Sequence, residues 1–256
     1  MANLQLSEED LEKLLITGRR KKSSLPRIIF KSTITIIVVF FLVFFILNYS
    51  ALIDKFNFWY KDQTGEQITH IIQNAVQEAI SNPQNASEAL PDIADNSLYI
   101  ESINAKLPIT FEVINDPTEV SNNLKNGLIH LSGSSLPGEK GNSFITGHSS
   151  NYFWVKSQYN SAFALLDNVA VGDLIQIKYK NINYVYRISK KFVTVPNDSA
   201  VLDSYKETPT LTLMTCTPIG TNLKRLIVRA DQIFPDPKNS RQENNTTIQE
   251  LPAIVR

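Results

Sequence analysis

Thr210-Leu211-Thr212-Leu213-Met214-Thr215-Cys216-Thr217-Pro218 alternates polar and apolar side chains as far as a cysteine and then meets a proline. Period-two alternation marks a half-buried strand, and proline cannot donate to a sheet ladder. The pattern predicts a strand over Thr210–Thr215 that delivers Cys216 to its end, beside a loop, where a reactive group is both held and reachable. Ile219–Lys224 leads into a second run, Arg225-Leu226-Ile227-Val228-Arg229. A tight connection makes the two runs neighbouring strands and brings Arg225 near Cys216. Arg229 competes for the same place, because strand positions four apart share a face.

Cys216 is the only cysteine in 256 residues, which excludes an internal disulfide and a Cys-rich zinc site. Most free cysteines are simply small buried residues, so the neighbours must decide its role. Ser143-Phe144-Ile145-Thr146 reads as another short strand, ending in Gly147-His148-Ser149-Ser150. His148 thus also stands at a strand end. A thiol needs a nearby base or cation to act as a thiolate. Its leaving group needs an acid, and a developing oxyanion needs a fixed positive charge. Cys216, His148 and Arg225 supply these functions once each. His130 is a second candidate for the histidine, and His70 lies just off a helical stripe and carries no role.

Outward from these strands, Leu98–Ile103, Ile109–Ile114, Leu174–Lys180 and Tyr184–Ile188 are further short alternating runs. Lys180-Asn181-Ile182-Asn183 separates the last two as a hairpin turn, since asparagine tolerates left-handed backbone. Short helical pieces are expected around Ser161–Leu166 and Ala200–Tyr205. Many short strands between turns predict an all-β barrel or sandwich over residues 98–235. No phosphate loop or dinucleotide fingerprint occurs, so no nucleotide cofactor is expected. The formal net charge of +0 gives no reason to expect nucleic acid as a partner.

Residues 32–53, STITIIVVFFLVFFILNYSALI, carry no charge and are apolar on every side. About 20 such residues suit one helical crossing of a bilayer. Arg19, Arg20, Lys21, Lys22, Arg27 and Lys31 precede the stretch, while Asp54, Lys55, Lys61, Asp62 and Glu66 follow it. The positive-inside rule puts residues 1–31 in the cytoplasm and the rest outside. The apolar run exceeds a signal peptide's core and lacks a good cleavage site, so an uncleaved anchor is expected. Within the tail, Ser7 followed by Glu8, Glu9 and Asp10 reads as a helix start, with Leu11, Leu14 and Leu15 on one face. In residues 54–97, Thr64 and Gln67 can cap a helix whose stripe is Ile68, Ile71, Ile72, Ala75, Val76, Ala79 and Ile80. Packing on the β domain is the expected use of that stripe, and a dimer stalk the alternative. Ser81–Asn85 ends the helix and a linker follows. Residues 236–256 read as a disordered tail, with overlapping glycosylation sequons at Asn244 and Asn245.

Thr212-Leu213-Met214-Thr215-Cys216 matches the TLxTC signature of sortases, the surface-protein transpeptidases. Arg225 with Leu226-Ile227-Val228 resembles that family's Cys…Arg-apolar-apolar pattern. Thr146-Gly147-His148-Ser149 resembles its GH segment, and Leu136-Pro137-Gly138-Glu139-Lys140-Gly141-Asn142 its PGE-x-GN turn. The resemblance covers roughly residues 98–235. It implies a mainly β, closed eight-stranded barrel on which His, Cys and Arg converge. It implies Cys216 as nucleophile, His148 as general acid/base and Arg225 as the substrate-orienting or oxyanion-stabilising cation, in preference to His130 and Arg229. The implied partners are surface proteins bearing a sorting signal and an amine acceptor in the cell envelope. No cofactor is expected, and no acidic cluster invites calcium.

The sequence also departs from the family. Ser149-Ser150-Asn151-Tyr152-Phe153-Trp154 follows His148 where many members carry an Arg-containing segment. Asp116-Pro117-Thr118 lacks the aromatic residue of the DP-aromatic lid motif in pilus-building members, so the subclass stays unassigned. Rival readings are a cysteine peptidase using the same residues, an inactive envelope-binding module, and an L,D-transpeptidase, whose His-Gly-Cys neighbourhood is missing around Cys216.

Overall fold

A computed structural model describes residues 8, 9, 12, 25–63, 71–81, 90–152, 154–202, 207–240 and 252. The chain divides into two compact units, residues 1–44 and 45–256. The helix start at Ser7, the Thr64 cap, His70, the Ser81–Asn85 terminator beyond Ser81 and the sequons all lie outside the described residues.

The apolar stretch forms helix α1 (Leu25–Leu47), with apolar side chains exposed from Ile29 onward. Ile29–Leu47 is long and apolar enough to cross a membrane. The uninterrupted run predicted to Ile53 breaks at Asn48, and the chain restarts as α2 (Tyr49–Gln63). Residues 49–53 therefore belong to a different helix from the rest of that run. Asn48 is buried, and its amide group packs on Gly220. The break thus falls at a buried polar residue packed within the second unit, which hydropathy alone does not reveal.

Eight strands form the closed barrel that the family resemblance implied: β1 (Ser97–Ile100), β2 (Ala105–Val113), β3 (Leu128–Leu131), β4 (Gly141–Thr146), β5 (Leu174–Tyr179), β6 (Ile182–Thr194), β7 (Pro209–Thr217) and β8 (Lys224–Phe234). Their order round the barrel is β1-β2-β3-β4-β7-β8-β6-β5. Only the β2–β3 and β4–β7 pairs are parallel. A parallel pair cannot be joined by a tight hairpin. The first crossover accordingly contains helix α4 (Pro117–Asn123), α3 being Ile71–Ser81, and the second takes in everything between Gly147 and Thr208. Asp116 caps α4 by accepting from the Thr118 and Glu119 amides, with Pro117 in the first turn. In this chain Asp116-Pro117 is thus a helix start.

Alternate residues of each strand enter different cores. Leu128, Ile145, Leu211, Leu213, Leu226 and Val228 join the large central cluster. Their neighbours Ile129, Phe144, Met214, Cys216 and Ile227 join a second cluster, closed by Val120 of α4, by Leu124 just after it and by Val201. A third lies under α3 (Ile71–Ser81), whose Ile72, Ala75 and Val76 pack on Tyr99, Leu174 and Val185. The described part of the predicted stripe is therefore buried on the barrel. The β5–β6 turn has Lys180 and Asn181 at φ 50° and 60°, the left-handed pair that a two-residue hairpin requires. The pieces expected to be helical are 3₁₀ turns, Leu166–Asn168 and Ser199–Leu202, the latter reaching the edge of the described residues.

Candidate active site

The parallel β4–β7 pair sets the site. Gly141 to Thr146 lie opposite Pro209 to Met214, rung by rung. Two residues beyond the last rung on each strand come His148 and Cys216. The strand ends are laced together by hydroxyls. Thr146 Oγ1 donates to the Met214 carbonyl at 3.0 Å, and Thr215 Oγ1 donates to the Gly147 carbonyl at 2.8 Å. Gly147 N–H also donates to the Met214 carbonyl at 3.2 Å. Further back, Thr212 Oγ1 donates to Asn142 Oδ1 at 2.8 Å and Thr210 Oγ1 to the Gly141 carbonyl at 2.9 Å. The threonines of the Cys216 strand and the Gly141-Asn142 pair are thus two sides of one seam.

On the other side of Cys216, β8 runs antiparallel, and Cys216 is the direct register partner of Arg225. Arg229 pairs instead with Thr212, donates to the Ala200 carbonyl at 3.0 Å and lies 6.0 Å from the Phe192 ring. Arg225 is 5% exposed, and its Nη1 donates to the Asn222 and Lys224 carbonyls at 3.0 and 3.3 Å. Those bonds to its own turn fix the guanidinium without a carboxylate. Its Nε is buried with no acceptor.

His148 is buried. Its carbonyl accepts from Phe163 N–H at 2.8 Å, and its Nε2 lies 3.4 Å from Asn151 Nδ2. A Cβ at Gly147 would stand 2.5 Å from Leu128 Cδ2 and 3.0 Å from Phe163 Cδ2, so any other residue there must push these buried side chains aside. His130 is placed differently. It is wholly buried on β3, accepts from Glu112 N–H through Nδ1 at 3.4 Å, and has Nε2 3.0 Å from the Ser135 carbonyl. Burial holds its pKa down to about 4, a neutral ring serving the packing of a loop.

A cavity of about 250 Å³ opens on Cys216, walled by Ser149, Phe163, Thr215, Ile219, Leu52 and Lys55 among others. Ser149 Oγ is buried there without a protein partner. An unsatisfied buried donor costs about 1–3 kcal/mol, a cost that an incoming carbonyl oxygen can relieve. Leu52 and Lys55 come from α2, which is tied down by Lys55 to Asp167, by Asp54 to Ser161 and by Ser50 to Ser161. Sequence reasoning missed this wall, because the residues after the apolar run carry no motif. Among the described residues, no group of three His, Cys, Asp or Glu side chains is gathered as a metal site needs.

The sortase domain family matches residues 98–233. The chain belongs to the sortase family. Among solved sortases it is similar to sortase C1 from Streptococcus suis (26% identity, 55% of this chain and 73% of that one, TM-score 0.47). It is also similar to a lid mutant of sortase A from Corynebacterium diphtheriae (27% identity, 67% and 96%, TM-score 0.47) and to a sortase D5 transpeptidase from Clostridium perfringens (27% identity, 64% and 99%, TM-score 0.44). No curated protein sequence matches the chain. In this sortase the Pro137-Gly138-Glu139 turn is self-capped, with Leu136 N–H donating to Glu139 Oε2 at 2.9 Å. Gly138, at φ +84°, lies so close to Tyr184 that a Cβ would meet its ring at 2.3 Å.

Proposed function

We propose that this sortase is a cysteine transpeptidase with Cys216 as nucleophile, His148 as proton donor and acceptor, and Arg225 as the oxyanion-stabilising cation. The reading rests above all on the Cys216–Arg225 rung, flanked by the laced ends of β4 and β7. The Cys216 thiolate adds to the carbonyl carbon of a peptide bond in a sorting signal. Arg225 and a backbone N–H balance the charge on the carbonyl oxygen. The C–N bond breaks, and the departing amine takes its proton from His148. An amine of the cell envelope then attacks the thioester, yields a proton to His148 and releases the thiolate. Covalent catalysis divides one difficult exchange into two acyl transfers.

In the same reading, residues 1–31 are cytoplasmic, α1 is the membrane anchor and the barrel of residues 98–235 works outside the membrane. The basic residues from Arg19 to Lys31 and the mixed charges from Asp54 onward support this orientation. The experiment is to mix the full chain in detergent with sorting-signal peptides and record the intact mass. A Cys216-dependent acyl-enzyme that is cleared by an added amine, with a transpeptidation product, is the expected result. Clearance by water alone, with no amine product, would make the chain a peptidase, and no adduct from a broad peptide library would leave it a binding module.

A further inference from the structure

Helix α2 has two working faces. Ala51 is buried, Lys55 and Phe58 are partly buried, and Asp54 and Lys55 bond to the barrel's Ser161 and Asp167. The opposite face is apolar and uncovered. Tyr49, Ile53, Phe56 and Tyr60 recur at helical spacing and are 65%, 37%, 60% and 57% exposed, with Trp59 beside them at 56%. Phe56 stacks with Tyr60 at 6.5 Å and approaches Trp59 at 6.0 Å, so the rings form one continuous patch. A large exposed apolar patch marks a surface that meets something other than water.

The chain itself says what it meets. Only Asn48 separates Tyr49 from Leu47, the last residue of the helix read as the membrane span. A segment that starts one residue after a span starts at the headgroup level. Tyr and Trp are the residues that favour that level, with an apolar ring on one side and a polar edge on the other. We infer that α2 is an interfacial helix: its Tyr49–Phe56–Trp59–Tyr60 face lies in the lipid headgroup region while its other face carries the barrel. This rests on reading α1 as the anchor. It adds that the wall of the Cys216 cavity made by Leu52 and Lys55 belongs to the helix that touches lipid.

The full chain, carrying Trp154→Phe so that Trp59 is its only tryptophan, is reconstituted into vesicles of phosphatidylethanolamine and phosphatidylglycerol. Lipids brominated near the glycerol end of the acyl chain should remove roughly half of the Trp59 emission, those brominated near the terminal methyl less, and aqueous iodide little. With Trp59→Phe added, Phe56→Trp should report the same quenching, whereas Asn57→Trp, a 100° turn away on the helix, should answer to iodide. Trp59 quenched by iodide and indifferent to bromolipid would overturn the inference. So would emission shielded from both that becomes iodide-sensitive on dilution, because a second copy would then cover the face. Carbonate washing reports separately on the anchor. A chain stripped from the vesicles refutes the span, and a retained chain with a water-exposed Trp59 refutes the interfacial helix alone.

Discussion

Thr215 donates its hydroxyl to the Gly147 carbonyl at 2.8 Å, one residue short of Cys216 on one strand and of His148 on the other. In this chain the second threonine of Thr212-Leu213-Met214-Thr215-Cys216 acts as the clasp that holds the histidine's strand alongside. Thr215→Val keeps the shape but leaves a buried carbonyl unpaired, at a cost of about 1–3 kcal/mol. Acyl-enzyme formation should slow at least tenfold, read by intact mass, and Thr215→Ser should recover most of it.

Arg225 and Arg229 can be separated by rate. Arg225→Ala should lose about 10²–10³-fold in turnover, the usual loss for one oxyanion donor. Arg225→Lys should recover little, because an ammonium cannot reproduce both the turn contacts and a second donor. Arg229→Ala, four positions down the strand, should stay within tenfold of the parent. Circular dichroism should leave all three folded. Near-normal turnover of Arg225→Ala would remove it from the site.

Gly147→Ala should place a methyl group against Leu128 and Phe163. Overpacking of this kind costs about 1–3 kcal/mol and would push His148 away from Cys216. A lowered midpoint in urea, together with slower acylation, is the expected outcome. Leu128→Ala in the same chain should relieve part of the clash, so a double-mutant cycle should show a favourable coupling.

His130 gives a pH signature of stability. Its folded pKa of about 4 lies below the ordinary value of 6.5, so the folded protein resists the proton that the unfolded chain accepts. The full stability is present above pH about 6.5 and is lost as pH falls toward 4, by at most about 3 kcal/mol. Urea titrations of His130→Gln should show a shallower fall over that window. An unchanged profile would mean that other groups govern the acid side.

Ile72 tests the α3 contact. It is fully buried under the third cluster, and its amide donates to Glu101 Oε2 at 3.2 Å. Ile72→Ala should cost about 2–5 kcal/mol in urea-induced unfolding. A change near zero would return the stripe to the role of a stalk.

Most of the barrel was legible in the sequence because its strands alternate polar and apolar side chains, even where both faces are buried, as in β7. Strand β3 escaped because Leu128-Ile129-His130-Leu131 is only four residues long and three of the four are apolar. Such a run has no period to find. Strand β6 read as ending at Ile188, where a register irregularity and the polar run Ser189-Lys190-Lys191 interrupt a strand that continues to Thr194. Cys216 and Arg225 were readable as strand ends, but their being register partners was not, since pairing depends on the turn between them. The end of α1 was hidden for a different reason. Tyr49-Ser50-Ala51-Leu52-Ile53 is apolar enough to pass as span, and only the tertiary contact of Asn48 with Gly220 marks where the helix stops.

The parallel β4–β7 pair joins residues 68 apart in the chain, and Arg225 follows only with the next strand. Closing so long a loop is among the slower events in folding. In a nascent or half-folded chain Cys216 therefore stands apart from the histidine and the arginine that the proposed mechanism assigns to it. On the proposed mechanism, chemical competence arrives only when the barrel closes, so a variant that folds less often loses turnover on that account as well as through any change at the site.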